Sequence, residues 1–127
     1  MNVAAGGARV FKTAWFAKAA RKARISDVEL CDAVLEAMKG QCDDLGGGVF
    51  KKRLDRNRSR SIILAKSRRH WFYAYLFAKK DQANITEKDL RRLRLLADAY
   101  ARTTDMEIAS ELAGKAIVEI CHGEKQI

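Results

Sequence analysis

The chemistry of this 127-residue chain is concentrated in a basic segment between positions 51 and 80. The segment holds eleven lysines and arginines and one acidic residue, Asp55, so its net charge is +10, whereas the whole chain carries +9. A solvated surface normally mixes both signs, so a segment of one sign predicts a polyanionic partner such as a nucleic acid. An idle basic surface and attraction to a membrane are the weaker interpretations. The basic residues are Lys51, Lys52, Arg53, Arg56, Arg58, Arg60, Lys66, Arg68, Arg69, Lys79 and Lys80.

Aromatic side chains alternate along the end of this segment. If residues 70–80 form a regular strand, Trp71, Tyr73, Tyr75 and Phe77 share one face with Lys79. An aromatic stripe is usually core, which is the favoured interpretation for Trp71 and Phe77. Tyr73 or Tyr75 is a better candidate to stack on a nucleobase, because the same face ends in a lysine.

The residues that could bind a metal are few and scattered. Cys31, Cys42 and Cys121 form no CxxC pair, and only His70 and His122 could complete a site. We therefore expect no metal and three reduced thiols, as in a cytosolic protein. His70 has the chemistry of an acid or base, but a lone histidine at a strand start is more often incidental. His122 is expected to have no specific role.

The composition excludes several classes of protein. Apolar residues make up 48% and charged residues 32% of the chain, which is typical of a globular domain rather than a disordered chain. The apolar run at 71–78 is much shorter than the roughly 20 residues of a membrane helix. Residues 1–8 do not resemble a signal peptide. We therefore expect a cytoplasmic protein with no membrane association.

The elements that must position the basic segment begin with a strand and two helices. Residues 9–13 alternate as a strand does, and residues 14–24 follow a helical pattern. Ser26 and Glu29 have the spacing of a capping box, and they predict a second helix to about Lys39. Gly40 is placed to end that helix. The two helices are expected to form a helical hairpin.

Three antiparallel strands are predicted next, followed by two helices and a last strand. Glycines at 46–48 mark a turn or a close approach, and further turns are expected at 55–59 and 67–69. The strands are expected at 49–54, 61–66 and 70–79, the helices from Thr86 to about Arg102 and at 105–112, and the last strand at 116–120.

This order predicts a single α+β domain at residues 9–121, with flexible tails at 1–8 and 122–127. In it an N-terminal helical hairpin packs on a small antiparallel sheet, together with C-terminal helices.

Three motifs in this order resemble one bacterial family. They are Phe-Lys-Thr-x-Trp-Phe-Ala-Lys at 11–18, Leu-Gly-Gly-Gly-Val-Phe-Lys at 45–51, and Phe-Ala-Lys-Lys-x-x-Ala-Asn-Ile at 77–85. The chain resembles the RelE/HigB-like toxins of bacterial type II toxin–antitoxin systems, in the RelE/ParE superfamily, over residues 9–121. The resemblance also predicts a RelE/ParE-like fold.

One segment departs from this family pattern. Relatives usually carry a Gly-Lys-Ser-Gly-Gly-Tyr-Arg type of segment between the second and third strands. Here Arg-Asn-Arg-Ser-Arg-Ser at 56–61 is shorter and lacks those glycines and the tyrosine. Arg60 still lies where the arginine of the family enters the next strand.

The resemblance implies a ribosome-dependent mRNA endonuclease that a cognate helix-turn-helix antitoxin neutralises. In such a reaction the 2′-OH of the RNA attacks the adjacent phosphorus, and no metal or other cofactor is needed. The protein must take a proton, stabilise the phosphorane and help the 5′-oxygen to leave.

Four cations are the catalytic candidates. Lysine is a base only where burial or nearby cations disfavour its charged form, which points to Lys51 or Lys52 within this cluster. Alternation places Lys51 with Arg53 on one strand face, and Lys51 holds the position that matches the family. Arg60 would bind the phosphorane in a bidentate manner, and Lys79 would hold the phosphate or protonate the leaving oxygen.

The other cations of the segment and two tyrosines are the candidate RNA contacts. A gyrase inhibitor of the ParE type, with the same fold and no catalysis, is one alternative function. A nucleic-acid-binding domain without chemistry is the other. The candidate RNA-binding residues are Lys52, Arg56, Arg58, Arg68, Arg69, Tyr73, Tyr75 and Lys80.

Overall fold

The computed structural model describes residues 7–121, which form six strands and four helices within that range. The predicted tails at 1–8 and 122–127 therefore lie almost wholly outside the described residues, and His122 lies outside them too. Ala8 is described and is buried in the core. The elements are β1 (Arg9–Thr13), α1 (Ala14–Lys22), α2 (Asp27–Met38), β2 (Asp43–Asp44), β3 (Val49–Leu54), β4 (Ser59–Lys66), β5 (His70–Ala78), α3 (Glu87–Ala101), α4 (Asp105–Ala113) and β6 (Ile117–Ile120).

The six strands form one mixed sheet with the order β2-β3-β4-β5-β1-β6. The three central strands β3, β4 and β5 are antiparallel, as their short connecting turns require. β1 pairs with β5 in parallel, which the long connection of two helices and three strands between them makes possible. The predicted α+β class is confirmed, while the sheet, which was expected to be small and antiparallel, has six strands and one parallel pair, β1 with β5.

Helices cover both faces of the sheet. α1 and α2 lie on one face, where Phe16 and Leu30 pack with Trp71 and Tyr73. α3 lies on the other face, where Leu93 packs with strand residues of that side. α1 contacts chiefly β5 and α2 contacts β3, with little contact between the two helices themselves. The predicted helical hairpin is therefore not confirmed.

Ser26 begins α2, as predicted, but the capping box is incomplete. The Ser26 hydroxyl accepts a hydrogen bond from the Glu29 backbone N–H at 3.2 Å. The Glu29 carboxylate does not return to Ser26. It instead accepts a hydrogen bond from the backbone N–H of Asp55 at 2.5 Å, in the turn between β3 and β4. Glu29 thus links α2 to the turn that precedes Arg60.

The glycine turn before β3 is a close approach of two backbones, as predicted. Gly48 has a φ of +81°, and a Cβ there would lie 3.1 Å from the carbonyl oxygen of Ala65. The Gly48 carbonyl accepts a hydrogen bond from the Ala65 N–H at 2.9 Å. A larger residue would push β3 away from β4.

Two of the three cysteines are joined. Cys31 in α2 and Cys121 after β6 form a disulfide, with their Cα atoms 5.4 Å apart. The expectation of three reduced thiols is therefore wrong, because the fold brings together two positions that are 90 residues apart in the chain. Cys42 is free and partly buried, and burial raises the pKa of its thiol.

Candidate active site

A β-bulge in β5 decides which aromatic residues face the candidate site. Ile63 of β4 pairs with Tyr73 and Ile62 pairs with Tyr75, so Ala74 is the extra residue. Tyr73 therefore packs on the side of α1 and α2, whereas Tyr75 packs on the side of α3. The prediction that the aromatic residues share one face is wrong, because it assumed uninterrupted alternation.

Three cations project from the α3 side of β3 and β4, and we call them the basic face: Lys51, Arg53 and Arg60. Arg53 lies opposite Arg60, and directly opposed residues of antiparallel strands point to the same side. Lys51 lies opposite Ile62, which is in the core beneath α3. The register therefore confirms the prediction that Lys51 and Arg53 lie on the same face of β3. Arg60 lies inside β4, which begins two residues before the predicted strand.

Lys51 is held by two side chains that the sequence analysis did not select. Its Nζ donates a hydrogen bond to Asn84 Oδ1 at 3.1 Å and lies 3.5 Å from Asp43 Oδ2. Asn84 belongs to the Ala-Asn-Ile motif and also accepts a hydrogen bond from the Ile85 N–H. Because its amide oxygen faces the ammonium, Asn84 positions Lys51 on the basic face. The Ala-Asn-Ile motif was the one sequence signal that could have identified Asn84 as a site residue, whereas nothing in the sequence pointed to Asp43.

Lys52 lies on the opposite side of the sheet, as the alternation predicted. Its Nζ forms an ion pair with Glu36 of α2 at 2.8 Å and donates a hydrogen bond to the Gln41 carbonyl at 3.0 Å. The hydrogen bond from Lys52 lowers the pKa of the Glu36 carboxyl. The structure therefore does not bring Lys52, a predicted RNA contact, to the basic face.

Arg60 is buried but keeps donors available. Only 6% of the residue is exposed, and its Nη1 donates to the carbonyl oxygens of Asn57 at 3.0 Å and Ser59 at 3.3 Å. Within residues 7–121 its Nε and Nη2 have no protein acceptor. Arg53 is exposed and likewise has no partner in this range. Guanidinium groups with free N–H donors bind phosphate oxygens well, since charge-assisted hydrogen bonds are strong.

The turn between β3 and β4 holds three non-glycine residues in a left-handed conformation. Asp55, Arg56 and Asn57 have φ values of 55°, 52° and 71°. Such residues need outside support. Glu29 binds the Asp55 N–H, and Arg58 forms an ion pair with Asp55 at 2.9 Å, whose hydrogen bond lowers the pKa of that carboxyl.

Four more of the residues that were predicted to bind RNA or to act in catalysis line a cleft beside this turn. Lys79 follows β5, and its N–H donates to the Arg58 carbonyl at 2.8 Å, which brings the strand end against the turn. We call this the turn cleft, and its cationic lining consists of Arg56, Arg58, Lys79 and Lys80. Lys79 thus lies beside the β3–β4 turn at the end of the sheet where Arg60 and Arg53 lie.

Three residues lie at the other end of β4 and β5. Arg68 and Arg69 are exposed in the β4–β5 turn, and His70 follows them. The six residues from Arg60 to this turn correspond to roughly 20 Å of strand. His70 stacks on Phe11 with ring centroids 6.0 Å apart, and burial lowers its pKa. The structure does not bring these residues together with the basic face.

The two candidate tyrosines have different environments. Tyr73 is fully buried, and its hydroxyl donates to the Leu30 carbonyl at 2.7 Å. Burial also raises the pKa of Tyr73. The prediction that Tyr73 stacks on a nucleobase is therefore wrong, since no face of its ring reaches solvent. Tyr75 is half-buried and stacks on Trp15, with ring centroids 5.2 Å apart.

In the range 7–121, no group of three or more His, Cys, Asp or Glu side chains could hold a metal ion. No helix in the same range is long and apolar enough to cross a membrane.

These features define a class, an α+β protein that presents a cluster of cations on one face of a mixed sheet. A family model described as "RelE toxin of RelE / RelB toxin-antitoxin system" matches residues 8–120. The match covers most of the chain, so the chain belongs to the RelE toxin family, as the resemblance indicated. It is therefore a toxin of a toxin–antitoxin system, with an antitoxin as partner. A search of curated proteins and a search of solved structures found no match.

Proposed function

We propose that this toxin is an endoribonuclease that cuts mRNA in the ribosomal A site. The observation that carries the proposal is the projection of Lys51, Arg53 and Arg60 from one side of two paired strands. Three cations without a full set of protein partners would repel one another unless a phosphate lay between them. A purely structural surface would gain nothing from this arrangement.

In the proposed reaction the ribose 2′-oxygen forms a bond to the adjacent phosphorus, and the bond from phosphorus to the 5′-oxygen breaks. Lys51 takes the proton of the 2′-OH, and Lys79 gives a proton to the departing 5′-oxygen. Arg60 and Arg53 bind the non-bridging oxygens, whose negative charge grows in the phosphorane. The products are a 2′,3′-cyclic phosphate and a 5′-hydroxyl, and no metal or cofactor takes part.

The partners of this function are mRNA on the ribosome and a cognate helix-turn-helix antitoxin, and its place is the cytoplasm, where translation occurs. Arg56, Arg58 and Lys80 would bind the flanking phosphates, since they line the turn cleft beside Lys79. An antitoxin that covers the basic face would exclude the RNA.

The proposal is tested by induced expression in bacteria with primer extension on a reporter mRNA. Wild type is compared with Arg60→Ala and with Arg92→Ala, which removes an exposed arginine of α3. We expect translation-dependent cuts at codon positions in wild type and Arg92→Ala, and their loss in Arg60→Ala. Growth arrest with intact mRNA and inhibited supercoiling would instead identify a gyrase inhibitor. Binding to RNA without arrest or cuts would identify a nucleic-acid-binding domain.

Lys51→Arg tests the role of the base separately. Arginine keeps the positive charge, but its guanidinium does not lose a proton in proteins. Loss of cleavage in Lys51→Arg with retained RNA binding supports proton transfer by Lys51. Retained cleavage would reduce Lys51 to an electrostatic role.

A further inference from the structure

Trp15 occupies an unusual position for a large aromatic residue. It lies in the first turn of α1, directly after β1. β1 pairs with β5 only as far as Lys12 and Tyr73, so β1 does not cover the last residues of β5. Trp15 lies beside this uncovered part, where its ring stacks on Tyr75 at 5.2 Å, yet 53% of the residue remains exposed. One face of the indole therefore rests on the protein while much of the ring is open to solvent.

Trp15 forms the end of a groove between α1 and β5, which we call the α1 groove. Its floor contains Leu76 and Phe77, and two lysines of α1, Lys18 and Lys22, line its side. The lysines are one helical turn apart, and within residues 7–121 neither has an acidic partner. α1 contains no acidic residue. The groove thus combines an open aromatic plane with two uncompensated cations.

The α1 groove is continuous with the turn cleft. Ala23, Ser59 and Ala78 line both. A chain molecule in the α1 groove would pass from Trp15 along α1 to Arg58 and Lys79 without leaving the protein surface. Ser59 precedes Arg60 in β4 but lies on the α1–α2 side of the sheet, opposite the basic face, so this path ends at the β3–β4 turn, around which a chain would reach the basic face. The path is lined by cations over its whole length and interrupted by one carboxylate, Asp55, which Arg58 already neutralises.

We propose that the α1 groove binds single-stranded RNA that flanks the cut, with one nucleobase stacked on Trp15. Aromatic planes next to basic side chains are the usual construction of single-stranded nucleic-acid sites, since bases stack while lysines follow the phosphates. An acidic protein segment would satisfy the lysines but would leave the indole plane without a flat partner. The inference rests on the proposed function for the identity of the RNA as mRNA, whereas the binding itself does not require cleavage.

Tryptophan fluorescence tests the inference directly. Trp15 and Trp71 are the two tryptophans of the chain, and Trp71 is 1% exposed, so a ligand that quenches the emission reports Trp15. The probe is a short single-stranded RNA of 2′-O-methyl nucleotides, which lacks the attacking hydroxyl and is not cut. We expect quenching on titration and about tenfold weaker binding in Trp15→Leu, which corresponds to the loss of one stacked base. Trp15→Phe keeps an aromatic plane and should bind within about threefold of wild type.

The lysines are tested with a matched pair of variants. The plot of log binding constant against log salt concentration has a negative slope. In Lys18→Ala/Lys22→Ala this slope should become shallower by about 1.4, as expected for two lost phosphate contacts on a single strand. Lys88→Ala/Arg92→Ala removes two exposed cations with the same spacing from α3 and should leave the slope unchanged.

The outcomes separate this inference from the proposed function. Unquenched fluorescence, together with equal affinity in Trp15→Leu and wild type, overturns the inference even if mRNA is cut. Quenching by the antitoxin and not by RNA would identify a protein interface and would also overturn it. Quenching that depends on Trp15 supports the RNA groove even where expression produces no cuts, in which case the proposed nuclease activity alone fails.

Discussion

Arg53 of β3 lies directly opposite Arg60 of β4, so two arginines point to the same side of the sheet from adjacent strands. Like charges in opposed positions destabilise a sheet. The buried Arg60 relieves part of this cost by donating to the Asn57 and Ser59 carbonyls, whereas Arg53 has no partner within the described residues. A phosphate between the two guanidinium groups would remove the repulsion, so under the proposed function the pair would favour substrate binding at the expense of stability.

Arg53→Gln is therefore expected to stabilise the fold and impair cleavage. The free energy of unfolding should rise by about 0.5 kcal/mol, since a neutral side chain of similar length removes the cross-strand repulsion. Cleavage of mRNA should fall at the same time. Urea denaturation and primer extension measure the two effects, and Arg92→Gln on α3 is the control. A loss of stability in Arg53→Gln would contradict this account of the pair.

Asn84→Asp should change the pH dependence of cleavage. The variant places a carboxylate where the amide oxygen now accepts the hydrogen bond from Lys51 Nζ at 3.1 Å. A carboxylate at that distance favours the ammonium form of Lys51. If Lys51 takes the 2′-OH proton, the pH optimum of cleavage moves to higher pH. Asn84→Ala is the control for lost positioning, and it should lower the rate without moving the optimum. An unmoved optimum in Asn84→Asp argues against Lys51 as the base.

Tyr73→Phe should affect the stability of the fold, whereas Tyr75→Leu should affect the binding of RNA. Tyr73→Phe removes the hydroxyl that donates to the Leu30 carbonyl at 2.7 Å and should cost about 1 kcal/mol of unfolding free energy. Its cleavage activity should stay at the wild-type level, because the ring is buried on the α1–α2 side. Tyr75→Leu removes the platform beneath Trp15 and should weaken RNA binding. Denaturation curves and RNA titrations separate the two tyrosines, and reduced RNA affinity in Tyr73→Phe would be the contrary result.

Local patterns in the sequence were enough to predict most elements. β1 and β3 have the predicted bounds, since their alternation and their flanking residues are local properties of the chain. The positions of Lys51, Lys52 and Arg53 on β3 followed from the same alternation. The bulge at Ala74 could not be predicted, because it exists only in the register between β4 and β5. The same is true of the Asn84 and Asp43 contacts with Lys51, which join distant segments.

His70 should make the protein less stable in mild acid. Burial lowers its pKa, and Lys66 and Arg9 nearby act in the same direction, against an opposite effect from Asp105. As the pH falls, His70 of the unfolded chain therefore binds a proton near the ordinary pKa of 6.5, whereas His70 of the folded protein binds it only at lower pH. The stability that the neutral imidazole contributes is present above pH 6.5 and is lost as the pH falls toward the lower pKa of the folded state.

His70→Gln should remove this part of the pH dependence. Between pH 7.5 and pH 5.5, the urea midpoint of wild type should fall more than that of the variant. Both chains retain His122 and every carboxylate, so the difference between the two profiles isolates His70. Parallel profiles would show that His70 has the same pKa in the folded and unfolded chain.

Reduction of the Cys31–Cys121 disulfide should destabilise the fold, although neither cysteine belongs to the basic face. The bond links α2 to the end of β6 across 90 residues, so breaking it frees a long loop in the unfolded chain. The expected cost is about 2–5 kcal/mol. Dithiothreitol should lower the unfolding midpoint of wild type but not that of Cys31→Ser/Cys121→Ser, and Cys42→Ala should respond as wild type does. Denatured, unreduced protein should titrate one thiol, that of Cys42, and three reactive thiols would contradict the bond.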